Sequence, residues 1–242
     1  MILSRLSNAL RRQDWLTILI ESVLIIAGVL IALQVNNWNE ARANAQGAVS
    51  ALTRLQEEVE ANIAIIDDSL AELEGEAEAR EGTVAVIGSC DPSAEAAEQV
   101  AQAIMNTTGD IVPAFQEPAA EGLARREEYL DLMSNGFRSA FYAYTAAFSD
   151  EQEQLQVNFG LMWDHHVIYH PAILLQPNPD RPGVSSLVIV GGLPAVCEDT
   201  QFVNRFVLTI AWHNSTASRL RRFRETAVDF LAVVEQEKEA LP

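Results

Sequence analysis

Three of the four histidines stand within six residues, in the stretch Asp164-His165-His166-Val167-Ile168-Tyr169-His170. If that stretch is helical, His166 and His170 share a face at i and i+4, a spacing that metal sites use. Pro171 follows at once and argues that a helix is ending there. No HExxH pattern and no nearby cysteine completes a ligand set. The expectation is an aromatic-polar cap on the domain, with no metal held by His165, His166 and His170. The chain also lacks a G-x-S-x-G elbow, a phosphate-binding glycine loop and a Cys-x-x-Cys pair. Ser, His and Asp are plentiful, but no spacing singles out a triad. These residues predict neither a catalytic site nor a bound cofactor, and no enzyme is expected.

The elements around them say more about place than about chemistry. The chain has 242 residues, 16 Lys+Arg against 34 Asp+Glu, and a formal net charge of −18. A hydrophobic share of 49% is enough for a real core. The acid excess argues against nucleic acid as a partner, because phosphate binding needs clustered Lys and Arg. Lys238 is the only lysine.

Trp15 to Val35 reads WLTILIESVLIIAGVLIALQV, with Glu21 as its one ionisable residue. As a helix it rises about 31 Å, the thickness of a bilayer's hydrocarbon core. Arg5, Arg11 and Arg12 precede it, whereas Asn36, Asn37, Asn39 and Glu40 follow. Positive charge on a short flank stays cytoplasmic, so the N-terminus is expected inside and the rest outside. A single-pass membrane protein with its C-terminal domain outside the cytoplasm is the localisation this implies. A cleaved signal peptide is the rival, given the Ala-x-Ala pattern at Ala43 to Ala45. Its apolar region normally runs only about 7–15 residues, so an uncleaved anchor is expected.

Glu21, Gly28 and Ala32 fall on one helical face, with Gly28 and Ala32 forming a small-xxx-small pair that lets another helix approach. Two readings stand for this face: packing on a partner, or a monomeric span whose Glu21 is protonated or reaches the interface. Trp15 and Trp38 bracket the span as an interfacial aromatic pair would.

The stretch Ile20 to Arg42, IESVLIIAGVLIALQVNNWNEAR, resembles an uncharacterised family of bacterial single-span membrane proteins. Glu21 and Gly28 match its apolar helix, and Gln34, Asn36, Asn37, Trp38, Asn39 and Glu40 match its Q-x-N-N-W-N-E signature. The resemblance implies a membrane anchor carrying an extracytoplasmic helical domain, and it implies no reaction. Read physically, the amides sit where the helix leaves lipid. They serve either as an interfacial collar or as a docking surface for a partner subunit.

The expected divisions are a short cytoplasmic tail over 1–14, the span over 15–35, the interfacial motif over 36–46 and an extracytoplasmic helical domain over 47–242. The fold class is mainly α, with at most a small β element. Val49, Leu52, Gln56, Val59, Ile63, Ile66, Leu70 and Leu73 fit a and d sites of a heptad repeat, Gln56 being the polar misfit. The seam packs either against a second copy as a coiled coil or inside its own bundle. This helix is expected to continue the span and to end near Gly82. A second helix is expected from Asp91 as N-cap and Pro92 as first residue to Met105. A third spans Ala120 to Ser149. Between Pro171 and Pro194, Ser186 to Val190 reads as a strand paired with Thr83 to Ile87. The last helix starts at Asp199 or Thr200 and runs to Lys238. Its Arg219, Arg221, Arg222 and Arg224 are expected to pair with the domain's acids, capture of an anion being the lesser reading.

Two cysteines are too few for a disulfide-dense fold or a four-thiolate zinc site. In an oxidising compartment Cys90 and Cys197 are expected to pair, the alternative being two separate buried thiols. Two function classes follow. One is a non-enzymatic scaffold or accessory subunit of a membrane complex, partnered by lipid and by protein through its span and heptad helix. The other is an extracytoplasmic ligand-binding or sensing module. With only about 14 residues before the span, no cytoplasmic output domain is expected. That favours the scaffold and would leave a sensor to act through a partner.

Overall fold

The computed structural model describes residues 15–108, 112–178 and 185–241. The expected cytoplasmic tail, with Arg5, Arg11 and Arg12, lies outside them. The protein is mainly helical with one small sheet. Helix α1 (Trp15–Gly75) spans 61 residues without a break, about 90 Å at the helical rise. Its first half is apolar and exposed: Leu16, Leu24, Ile25 and Ile31 each show about two-thirds of their surface. Burial begins at Ala48 and continues through Leu52, Leu55, Val59, Ile66, Leu70 and Leu73. The heptad seam therefore packs inside the chain's own bundle, chiefly against the last helix. Gln56 is only half-buried and bonds Glu60 and Lys238. The buried polar residues on this side of α1 are Glu58 and Asn62.

The helix stops at Gly75, not near Gly82. Glycine weakens the last turn, and the Arg80 guanidinium reaches back to the carbonyl of Leu73. That satisfies a carbonyl left orphaned by the helix end. Arg80 also pairs with Glu76 at 3.1 Å. Helix α2 (Ala77–Ser89) follows and carries Gly82 in its interior. It closes at Cys90, which adopts the left-handed conformation, φ 51°.

Helix α3 (Ala94–Asn106) starts later than Asp91. Ser93 is its N-cap, accepting from the Ala96 amide at 3.2 Å, while Asp91 accepts from the Ser93 amide at 3.0 Å. The two residues share the work of the turn after Cys90. The expected third helix is three: α4 (Pro118–Ala124), α5 (Glu127–Leu130) and α6 (Asn135–Asp164). Ser134 restarts the chain as N-cap of α6, accepting from the Phe137 amide. The Glu237 carboxylate fixes it there, accepting from the Ser134 amide at 2.7 Å and hydroxyl at 2.6 Å.

A 3-10 turn (Val167–Tyr169) leads into β1 (Ile173–Pro177), which pairs antiparallel with β2 (Ser185–Ile189), Leu175 opposite Leu187. The strand at Ser186 was expected and its partner was not: Thr83 to Ile87 is helical. Leu187 and Ile189 point into the core over α3, Ser186 and Val188 away from it. Gly191 and Gly192, at φ 88° and 74°, turn the chain into α7 (Pro194–Cys197), a conformation that L side chains resist. Helix α8 (Thr200–Ala240) is capped by Asp199, which accepts from the Gln201 amide at 2.8 Å.

Candidate functional site

The buried side chains form two apolar clusters. The larger joins α1, α4, the N-terminal two-thirds of α6 and the C-terminal half of α8. The smaller joins α2, α3, β2, α7 and the first turns of α8. Between them lies a layer of buried polar residues: Arg80, Thr83, Thr107, His166, Thr209 and His213. This layer is where the chain keeps its chemistry-bearing groups out of water.

His166 does not share a helical face with His170, because α6 ends at Asp164. Its Nδ1 accepts from the Ile168 amide at 3.1 Å, which places the proton on Nε2. That N–H donates to the Thr107 hydroxyl at 3.2 Å, and Thr107 donates on to the Ile104 carbonyl at 2.7 Å. His170 repeats the logic nearer the surface. Nδ1 accepts from the Ala172 amide at 3.1 Å and Nε2 faces Asp199 at 3.1 Å. In each ring both nitrogens are engaged, Nδ1 by a backbone amide and Nε2 by a side chain. His165 is exposed. Among the described residues, no group of three or more His, Cys, Asp and Glu side chains could hold a metal ion.

His213 is the exception. Its Nδ1 bonds the Thr209 carbonyl at 2.8 Å, which must be a donation from the ring. The lone pair is therefore on Nε2, which is buried and has no partner among the described residues. The ring lines a pocket together with Val112, Leu155, Asn158, Phe159, Met162, Trp212 and Thr216. Burial pushes His213 below its ordinary value, and the nearby Arg80 charge adds to that. Burial lowers His166 in the same way, with His213 contributing. Both rings are held neutral. His213 was legible as a polar residue at an apolar register, between Ile210 and Ala217 on the buried face of α8.

Around the larger cluster, buried carboxylates and amides act as staples. Glu58 accepts from the Ala119 and Ala120 amides at 2.6 and 3.0 Å, at the start of α4, where the helix dipole favours negative charge. Asn62 makes a two-way pair with the Gln116 backbone, both bonds 2.8 Å. Three of the four arginines of the α8 cluster, all but Arg222, pair with acids as expected. Arg219 bonds Glu151 at 2.9 Å, Arg221 bonds Glu74 at 2.7 Å and Arg224 bonds Asp67 at 2.5 Å. Arg224 holds the Asp67 carboxyl below its usual range.

Cys90 and Cys197 form a disulfide, with Cα atoms 5.7 Å apart. It ties the end of α2 to the end of α7, beside the N-cap of α8.

On the apolar half of α1, Glu21, Gly28 and Ala32 lie on one exposed face, and nothing stands within 4 Å of the position a Gly28 side chain would take. Gln34, Asn36, Asn37, Trp38, Asn39 and Glu40 are all exposed. Arg42 sits one turn beyond Trp38, its guanidinium carbon 6.0 Å from the ring centroid. This half of α1 is long and apolar enough to cross a membrane.

No family model, curated protein or solved structure matches the chain. The functional reading therefore rests on the residues and their geometry.

Proposed function

We propose that this chain is a single-span protein of a bacterial inner membrane, with its N-terminus cytoplasmic and its bundle periplasmic. There it serves as a non-enzymatic scaffold or accessory subunit of a larger membrane complex. The observation that carries the reading is the division of α1. Its apolar half is exposed on all sides, and its second half is locked into the bundle without a joint.

In water that exposed half costs about 25 cal/mol for every Å² of apolar surface, and lipid removes the cost. Among the described residues no break separates anchor from bundle, so a force or tilt on the span passes directly into the domain. The Gly28 and Ala32 notch supports helix contact within the membrane, and the amide-rich motif supports a fixed depth at the interface. The disulfide accords with an oxidising compartment. The engaged nitrogens of His166 and His170 support a role other than catalysis.

Two experiments test the reading. A reporter active only in the cytoplasm, fused after Pro242, should stay silent; activity would reverse the topology. A photo-crosslinking residue at Ala32 in native membranes should yield one discrete larger protein product, which Gly28→Ile diminishes without reducing membrane insertion. Lipid adducts alone would leave a lone anchor and sink the subunit role.

A further inference from the structure

We infer that the span's partner in the membrane is a helix of another protein, lying on the side of α1 turned away from the bundle and carrying one lysine or arginine at the depth of Glu21. The inference rests on the anchor reading above and names the chemistry of the neighbour that reading requires. Its first support is the phase of α1. The helix is unbroken from Trp15 to Gly75, so its residues in lipid and its residues in the bundle keep one angular frame. At 3.6 residues per turn, the stripe of Glu21, Gly28 and Ala32 lies about 180° from the buried stripe of Ala48, Leu55, Val59 and Ile66. Beyond the span the same outer side continues through Asn39, Gln46, Ser50 and Glu57, all exposed. The bundle covers one side of α1 and leaves the Glu21 side open to a neighbour.

Charge decides which neighbour. Glu21 stands six residues inside Trp15, about 9 Å along the axis. It is exposed, and one turn away on either side stand Thr17, Ile18, Leu24 and Ile25, none of them cationic. A carboxyl group at that depth is costly in lipid, and intramembrane acids turn to a partner and pair with it. In sequence the nearest cations are Arg12, nine residues before, and Arg42, 21 after. A second copy in the same orientation would therefore set Glu21 against Glu21 and bring no cation to that depth. A lysine or arginine on another protein's helix supplies the missing charge. Gly28, with nothing within 4 Å of its Cβ position, and Ala32 let that helix come close.

The test uses the full chain in mild-detergent micelles and synthetic single-span Leu-Ala peptides. The peptides differ at one site, about six residues inside the N-terminal end of the span, which carries arginine, glutamine or glutamate. Energy transfer from the chain's tryptophans to a dansyl group on the peptide reads association. The arginine peptide should bind about tenfold more tightly than the glutamine peptide, the upper scale of a polar contact between membrane helices. The glutamate peptide should bind no better than the glutamine one. Glu21→Gln should erase the preference for arginine. Gly28→Ile should weaken binding of the arginine peptide severalfold, and Leu30→Trp, on the opposite side of the span, should not. No binding of any peptide, equal affinity for arginine and glutamine, a preference that survives Glu21→Gln, or loss with Leu30→Trp in place of Gly28→Ile would each overturn the inference. So would self-association of the chain as tight as its binding to the arginine peptide, which would make the occupant a second copy. These measurements do not need the native neighbour, so the inference can fail while the Ala32 crosslink still yields its larger product; absence of that product fails the subunit role instead.

Discussion

The two apolar clusters of the bundle are built by different means. The larger is a stack of rings contributed by long helices. Phe137 and Phe141 stack at 6.0 Å between centroids, Tyr144 lies over Phe230 at 4.5 Å, and Phe223 meets Phe148 at 6.0 Å. The smaller draws Val100, Ile104, Leu187, Ile189, Leu193 and Val196 from short pieces of chain, with Phe202 and Phe206 from the first turns of α8. Short helices and a two-stranded sheet are marginal by themselves. A covalent tie between Cys90 and Cys197 makes up the difference. Ring packing holds one half, and a crosslink plus modest packing holds the other.

The largest expected effect breaks the tie. The bridged residues are 107 apart in sequence. In the chain-entropy model a loop of that size is worth about 4.7 kcal/mol, an upper figure. Cys90→Ser with Cys197→Ser should therefore lower stability by several kcal/mol, with the damage confined to the smaller cluster. Hydrogen exchange should quicken at Val100 and Phe206 and stay slow at Phe141 and Phe230. Equal quickening in both halves would show one cooperative core and end the comparison.

Next in size is the reverse experiment. Phe230 is 3% exposed and touches Phe137, Phe141 and Tyr144. Phe230→Ala should cost about 4 kcal/mol, as large-to-small changes in aromatic cores do, and loosen the larger cluster first. Denaturant unfolding of this variant should keep the smaller half's exchange protection at low denaturant if the halves are separable.

What the sequence disclosed follows the same divide. The long elements announce themselves by period: the buried stripe of α1 and the face of α8, which runs from Phe202, Phe206 and Ile210 in the smaller half to Leu220 in the larger, were legible, as was a helix start at Asp199 or Thr200. The disulfide was legible from compartment logic. In the smaller half helix α3 and strand β2 were legible as elements, but not how they pack, because pieces this short show no period that says which neighbour they meet. Nothing local tells β2 to pair with Ile173 to Pro177 instead of a segment that turns out to be helix α2. Breaks in long helices were hidden for a different reason. The stop at Gly75 depends on Arg80 reaching Leu73, and the restart at Ser134 depends on Glu237, about a hundred residues away. At the candidate site the register of His213 was legible, but the lack of a partner for its Nε2 was not, because that is a property of the fold.

The polar layer between the clusters sets the third expectation, which is smaller and depends on pH. His166 and His213 are held neutral in the fold, below the ordinary histidine value. The unfolded chain takes up protons first as pH falls, so the fold is at full strength above about 6.5 and weakens as pH drops below that value. At His166 a second proton would face the Ile168 amide that Nδ1 now accepts from. Acid should therefore open the joint between the clusters before either cluster melts. Protection factors at Thr107 and Thr209 should fall ahead of that at Phe141 as pH drops below about 6.5. Unchanged protection across that range would refute a weak seam.

The smallest expected effect concerns the ion pairs on the outside of the larger cluster, and it separates what decorates that half from what holds it. Arg221 and Glu74 meet at 2.7 Å, but both side chains are about half exposed. Water and salt screen such a pair, and ordering two long side chains offsets part of the attraction. Arg221→Ala should cost less than about 1 kcal/mol, a shift of roughly 2–4 °C at most for a chain of this size. The shift should shrink further at high salt. Arg219 meets Glu151 where both are mostly buried, 20% and 8% exposed, so Arg219→Ala strands a carboxylate and should cost more than Arg221→Ala at every salt concentration. If the two substitutions proved equal, charge pairing along α8 would be contributing to the larger half on the scale of its rings, and the contrast between ring packing and crosslink would have to be redrawn.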